Sequence, residues 1–162
     1  WTVKAEVGDD LPDLVKAFEE AKTSDEKTLI RLIRDHGLTR EMIPTEHQKS
    51  PKVWEALLDK MPLTAMIRTL GRMGAVELLT PLSDAGALVC GRLGNGELLR
   101  KARVHPIQML SALLTYGAGH GLKGSLSWSV VPQVVDALDG AFYAALENVE
   151  PTGKRFYLGV DV

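Results

Sequence analysis

Ser50 to Gly74 reads SPKVWEALLDKMPLTAMIRTLGRMG, and its punctuation decides the fold class. Ser50 followed by Pro51 is a cap with proline at the first helical position, where a missing N–H and a fixed φ do no harm. Val53, Trp54, Leu57, Leu58 and Met61 then recur at the three-and-four spacing of a helix with one apolar face. Pro62 stops that helix, and the pattern restarts with Leu63, Met66, Ile67, Leu70 and Met73. Gly71 lies inside the second helix and weakens it by ~1 kcal/mol relative to alanine. Arg68 and Arg72 sit one turn apart on its opposite side. Two short amphipathic helices split by one proline, each with a stripe to bury, suit a solenoid of stacked helix pairs.

The same reading extends outward. DLPDLVKAFEEAK, residues 10–22, predicts a helix capped by Asp10, with Leu11, Leu14, Val15 and Phe18 on one face. TSDEKTLIRLIRDHG, residues 23–37, predicts another, with Thr23 and Glu26 as a capping box and Gly37 as its stop. Thr39 opens a short helix through Met42 and Ile43. Toward the C-terminus, SDAGALVCGRL, NGELLRKAR and HPIQMLSALLTYG predict three more short helices, and roughly Val131 to Asn148 a last long one. Between them, Gly117 to Ser129 is a glycine-rich loop too long for a routine connector, so it is either functional or mobile. The expected fold is mainly α, in HEAT-like antiparallel helical repeats over residues 1–150. Residues 151–162 form a turn and an apolar run, Phe156 to Val160, which reads as one C-terminal strand with Asp161 at its tip.

At 162 residues, 45% hydrophobic and 25% charged, the chain has the composition of one globular domain with a real core. No apolar run approaches the ~20 residues of a membrane span. Cys90 is the only cysteine, so no internal disulfide or multi-cysteine zinc site can form, and it reads as a small buried hydrophobe. A reducing, cytoplasmic setting is the expectation. His36, His47, His105 and His120 lack metal spacing, no serine–histidine pattern stands out, and no enzyme is expected.

Charge is uneven although the net is −2. Acids crowd the first 26 residues, whereas none occurs between Glu97 and Asp136, a stretch holding Arg100, Lys101, Arg103, His105, His120 and Lys123. Together with Arg68 and Arg72, these cations are the candidates for a polyanion-binding surface, because guanidinium forks match phosphate oxygens. The plainer alternative is an ordinary solvated face. Asp161 could begin a metal site at a strand tip, but one carboxylate cannot complete it.

Three stretches together resemble the TROVE family, the group of the Ro autoantigen and its bacterial relatives. They are LTREMIPTEHQKSPKVWEALLDKMPLTAMIRTLGRM (residues 38–73), LLRKARVHPIQMLSALLTYGAGHGLKGSLSW (98–128) and ALDGAFYAALENVEPTGKRFYLGVDV (137–162). The resemblance implies a ring of HEAT-like repeats closed by a von Willebrand factor A-like α/β domain, of which this chain would carry the later repeats and the first strand. It implies binding of small structured noncoding RNA such as Y RNA, and of the single-stranded ends of misfolded RNA, in RNA quality control and stress responses. An exoribonuclease is the implied protein partner. Asp161 matches the aspartate of the family's D-x-S-x-S metal motif, whose serines lie beyond Val162. A divalent cation such as Mg²⁺ is thus expected only in a full-length relative, and no cofactor in this chain. The strand at 156–160 should then pair with residues outside this sequence or with another chain. The competing expectation is a helical-repeat scaffold for protein partners, without direct RNA contact.

Overall fold

The structure, a computed structural model, describes residues 11–157 and 159. Eight α-helices follow one another among these residues: α1 Asp13–Ala21, α2 Glu26–His36, α3 Pro51–Lys60, α4 Leu63–Ala75, α5 Asp84–Leu93, α6 Gly96–Lys101, α7 Pro106–Gly117 and α8 Pro132–Leu146. Two 3₁₀ turns, Arg40–Met42 and His47–Lys49, bridge α2 and α3. Helices α1 to α5 each pack on the next, then α4 lies against α7 and α5 against α8, so one helix pair stacks upon another. This is the expected mainly helical repeat architecture.

The quoted stretch forms as its prolines predict, although the Ser50 side chain, at the N-cap position of α3, makes no capping hydrogen bond. Pro51 is at the start of α3, Pro62 precedes α4, and Trp54, Leu58, Met66, Leu70 and Met73 are buried to within 2%. Those side chains belong to one continuous core running from Ala17 in α1 to Ala145 in α8. The Trp54 indole N–H donates to the Gln48 carbonyl at 2.9 Å, which satisfies its one polar atom. Buried Thr69 is satisfied inside its own helix by the Ala65 carbonyl at 2.9 Å.

Helix ends show how the repeats are tied. Arg92 of α5 reaches the last turn of α3, donating to the carbonyls of Leu58 (2.8 Å), Asp59 (2.7 Å) and Met61 (3.3 Å). Lys60 of α3 donates to the Arg34 carbonyl at the end of α2, at 2.6 Å. Each cation meets carbonyls that the helix cannot satisfy itself and lies at the negative end of the macrodipole. Asn148 binds the Val104 and Leu99 carbonyls, at 2.8 and 3.4 Å, pinning the α6–α7 corner to the end of α8.

Some local expectations change. The N-cap of α2 is Asp25, whose carboxylate accepts from the Thr28 N–H at 3.2 Å, in place of the Thr23–Glu26 box. Hydrogen bonding by the Thr28 side chain, and next by its N–H, holds the Asp25 carboxyl below its ordinary value. In α1 the buried residues are Ala17 and Ala21, while Leu14 and Val15 are exposed, because the small side chains face α2. Cys90 is half-buried; its thiol donates to the Gln133 carbonyl at 3.4 Å, and burial with a lesser effect of Asp136 pushes its pKa up, as befits an unreactive cysteine.

The C-terminal strand is not shown among the described residues. Phe156 and Tyr157 are exposed with no regular structure. Leu158, Val160, Asp161 and Val162 lie outside the described residues, and with them the metal-motif aspartate. No group of three His, Cys, Asp or Glu side chains among the described residues could hold a metal ion. No described helix is long and apolar enough to cross a membrane.

Candidate nucleic-acid interface

Helix α4 buries Met66, Ile67, Leu70 and Met73, which turns Arg68 and Arg72 outward toward α7. Helix α7 is apolar on its core side but carries Gln108, Ser111 and Thr115 at three- and four-residue spacing, one stripe of a helix. Between the helices runs a cleft of about 420 Å³. Its cationic wall is Arg40, Arg68 and Arg72, its polar wall Gln108, Ser111 and Thr115, and Ile67, Leu70, Ala112, Leu126 and Trp128 supply apolar lining. Arg40 and Arg68 also edge a second cleft of about 250 Å³ toward α3.

None of the three arginines has a carboxylate partner within ion-pair distance among the described residues. Arg68 donates only through Nε, to the Thr64 carbonyl of its own helix at 3.3 Å, which leaves its two terminal nitrogens available. Exposed guanidinium groups with a wall of hydroxyls and an amide opposite can take phosphate oxygens and sugar hydroxyls without reading base identity.

The glycine-rich loop is folded into a hairpin. Gly121 N–H donates to Leu126 O and Trp128 N–H to Gly119 O, both at 2.9 Å, and His120 forms an isolated antiparallel bridge with Ser127. Gly119 and Gly124 hold the left-handed φ values of 72° and 83° that the reversal needs. Gly121 and Leu126 line the main cleft, so exposed Lys123 lies between two cleft residues. His120 is exposed, its Nδ1 3.1 Å from the Gly121 carbonyl.

The remaining candidates cluster elsewhere. Arg100, Lys101 and Arg103 are exposed at the end of α6, and none of them lines the α4–α7 cleft. Arg100 is paired with Glu147, the C-cap of α8, at 3.0 Å. Arg103 occupies the left-handed region at φ 50°, closing α6 as its N–H donates to Arg100 O and the Val104 N–H to Leu99 O. His105 is the N-cap of α7, its Nδ1 accepting from the Ile107 N–H at 3.2 Å. The expected cations therefore form two groups: Arg68 and Arg72 at the cleft with Lys123 on its hairpin, and Lys101 and Arg103 at the α6 corner with Arg100 already engaged.

The sequence reading missed Arg40 and the Gln108–Ser111–Thr115 stripe. The stripe was visible as polar residues at helical spacing in an otherwise apolar helix. Arg40 gave no signal, since only the packing of the 3₁₀ turn beside α4 brings it there.

Residues 3–115 match the TROVE domain. The chain is similar to the RNA-binding protein RO60 of Caenorhabditis elegans, 42% identical over 93% of this chain and 23% of that protein. It is similar to the RNA-binding protein RO60 of Deinococcus radiodurans as well, 39% identical over 81% of this chain and 25% of that one. The fold superposes on the crystal structure of the Deinococcus radiodurans RO (RSR) protein with a TM-score of 0.80 and 33% identity, over 88% of this chain and 29% of that chain. It thus spans about a quarter of the length of these curated relatives. With the TROVE domain matching most of this chain and the helical repeats superposed, the chain belongs to the TROVE family.

Proposed function

We propose that this chain binds RNA, gripping the backbone of an unpaired segment in the α4–α7 cleft. The observation that carries the proposal is the convergence of Arg40, Arg68 and Arg72, free of carboxylate partners among the described residues, opposite Gln108, Ser111 and Thr115. Phosphates would lie along the arginines, and bases would rest on the apolar lining as they do on sequence-tolerant platforms. Lys123 and the α6 corner, with Lys101 and Arg103, add charge along the path of a longer RNA, and His105 stands beside them as a polar group. The names of the relatives, both RNA-binding proteins, support the same reading.

Within a longer Ro-like protein, the role we assign is capture of small structured noncoding RNA of the Y type and of misfolded RNA ends. That role belongs to RNA quality control and stress responses in the cytoplasm, with an exoribonuclease acting on what is held. The chain itself is read as a binder and not as a catalyst. In such a longer protein Asp161 would supply one carboxylate to a divalent-metal site. A second reading, a docking surface for protein, is favoured by exposed Ile107 and Leu114 on α7 and Tyr143 on α8.

Salt-titrated binding of a fluorescent single-stranded oligouridylate tests the first reading. Arg68→Ala/Arg72→Ala should weaken binding at least tenfold with helicity unchanged. Equal binding by that variant would reject the cleft.

A further inference from the structure

Trp128 joins the two walls of the cleft. Its ring lies over α4, where a Cβ added to Gly71 would stand 2.7 Å from Cη2 and Cζ3 of the indole, and one added to Gly74 3.0 Å from the Trp128 Cβ. Its Nε1–H donates to the Tyr116 carbonyl at the end of α7 at 3.0 Å, and the two rings stack with centroids 6.0 Å apart and planes 23° apart. Gly71, a weak point when read as sequence, is therefore half of a notch that receives the indole. A two-stranded hairpin is marginal in water without an anchor. Among the described residues, the hairpin from Gly119 to Trp128 holds itself by two backbone bonds, which together make the His120–Ser127 bridge, and Trp128 is its last residue.

We propose that Trp128 is a positioning residue for the RNA cleft: seated between Gly71 and Gly74, it fixes the hairpin so that Lys123 is delivered beside Arg68 and Arg72. The proposal rests on the cleft reading above. The glycines serve this seat and not the helix, since alanine is the better helix former at both positions. A methyl group at position 71 cannot be absorbed by a flexible tip. What it meets is a rigid ring held by α4, by Tyr116 and by the hairpin backbone, so relief requires the hairpin to move.

The test is a double-mutant cycle on binding of a 20-nucleotide oligouridylate, with Gly71→Ala, Lys123→Ala and both together. Each single change should weaken binding several-fold and make the slope of log K against log salt shallower by about 0.7, one phosphate contact's worth. Because the hairpin also carries Leu126 and Trp128 of the lining, the double variant should bind no more weakly than Gly71→Ala alone. Independent, additive losses, or a Gly71→Ala protein that binds like the parent, would overturn the proposal. Trp128→Leu, which removes the anchor without crowding α4, should give a loss that Lys123→Ala cannot deepen. It carries the test if Gly71→Ala reduces helicity. Hydrogen exchange of the Gly121 and Trp128 amides reads the seat without RNA, and Gly71→Ala should speed both. Fast exchange together with RNA binding insensitive to Arg68 and Arg72 would show a working seat and a failed cleft.

Discussion

At the scale of single residues, the arginines divide by what they touch. Arg92 faces inward and donates to the carbonyls of Leu58 and Asp59 of α3 and of Met61, its C-cap. Removing it leaves part-buried acceptors unmatched, and hydrogen bonds to charged groups contribute about 1.5–3 kcal/mol. Arg92→Ala should therefore lower stability by roughly 2 kcal/mol in urea unfolding, a change that Arg68→Ala should not produce. Arg103 is the opposite case, a non-glycine residue held at φ 50° where glycine carries no steric penalty. Arg103→Gly should raise stability by up to ~1 kcal/mol and at the same time weaken oligonucleotide binding. A stabilised variant with undiminished affinity would show that Arg103 does not meet the RNA.

At the scale of elements, α6 and α8 meet through Arg100 and Glu147, both largely exposed. Such a pair is worth about 0–1 kcal/mol, so Glu147→Gln should scarcely change the unfolding midpoint. Freed of its carboxylate, Arg100 should add to the positive field at the α6 corner, and RNA affinity should rise a few-fold at low salt. The N-terminus of α2 supplies a pH prediction. Asp25 has a folded pKa below its ordinary 3.8, so its contribution is present above that value and is lost as pH falls through the depressed one. Asp25→Asn should remove that acid limb from the stability profile of the chain.

The helices were legible because each carries its own stripe and its own stop, and Pro51, Pro62 and His105-Pro106 set their starts within the local sequence. The capping box was misplaced because Asp25, two residues after Thr23, offers a carboxylate acceptor in place of the threonine hydroxyl. The cleft was half legible. Arg68 and Arg72 announce an exposed face of α4, but nothing local says that α7 lies across from it, some forty residues later. The same separation hid the purpose of Gly71, which only Trp128 explains. Arg100 joined the expected patch because its stretch has no acids, yet its partner, Glu147, comes from beyond the end of that stretch.

For the molecule as a whole, stacked helix pairs turn scattered cations into surfaces. Three arginines from the 3₁₀ turn and α4 line one cleft, with Lys123 on the adjoining hairpin, while the α6 corner forms a second cationic group. Each phosphate neutralised on a single strand contributes about −0.7 to the slope of log K against log salt. Contacts from Arg40, Arg68, Arg72 and Lys123 give a slope near −3. The direct test is that slope for oligouridylate binding, measured for the parent chain and for Arg68→Ala/Arg72→Ala. The predicted result is a slope shallower by about 1.4 in the variant, with weaker binding at every salt concentration. Parallel lines of equal affinity would contradict RNA binding in the α4–α7 cleft.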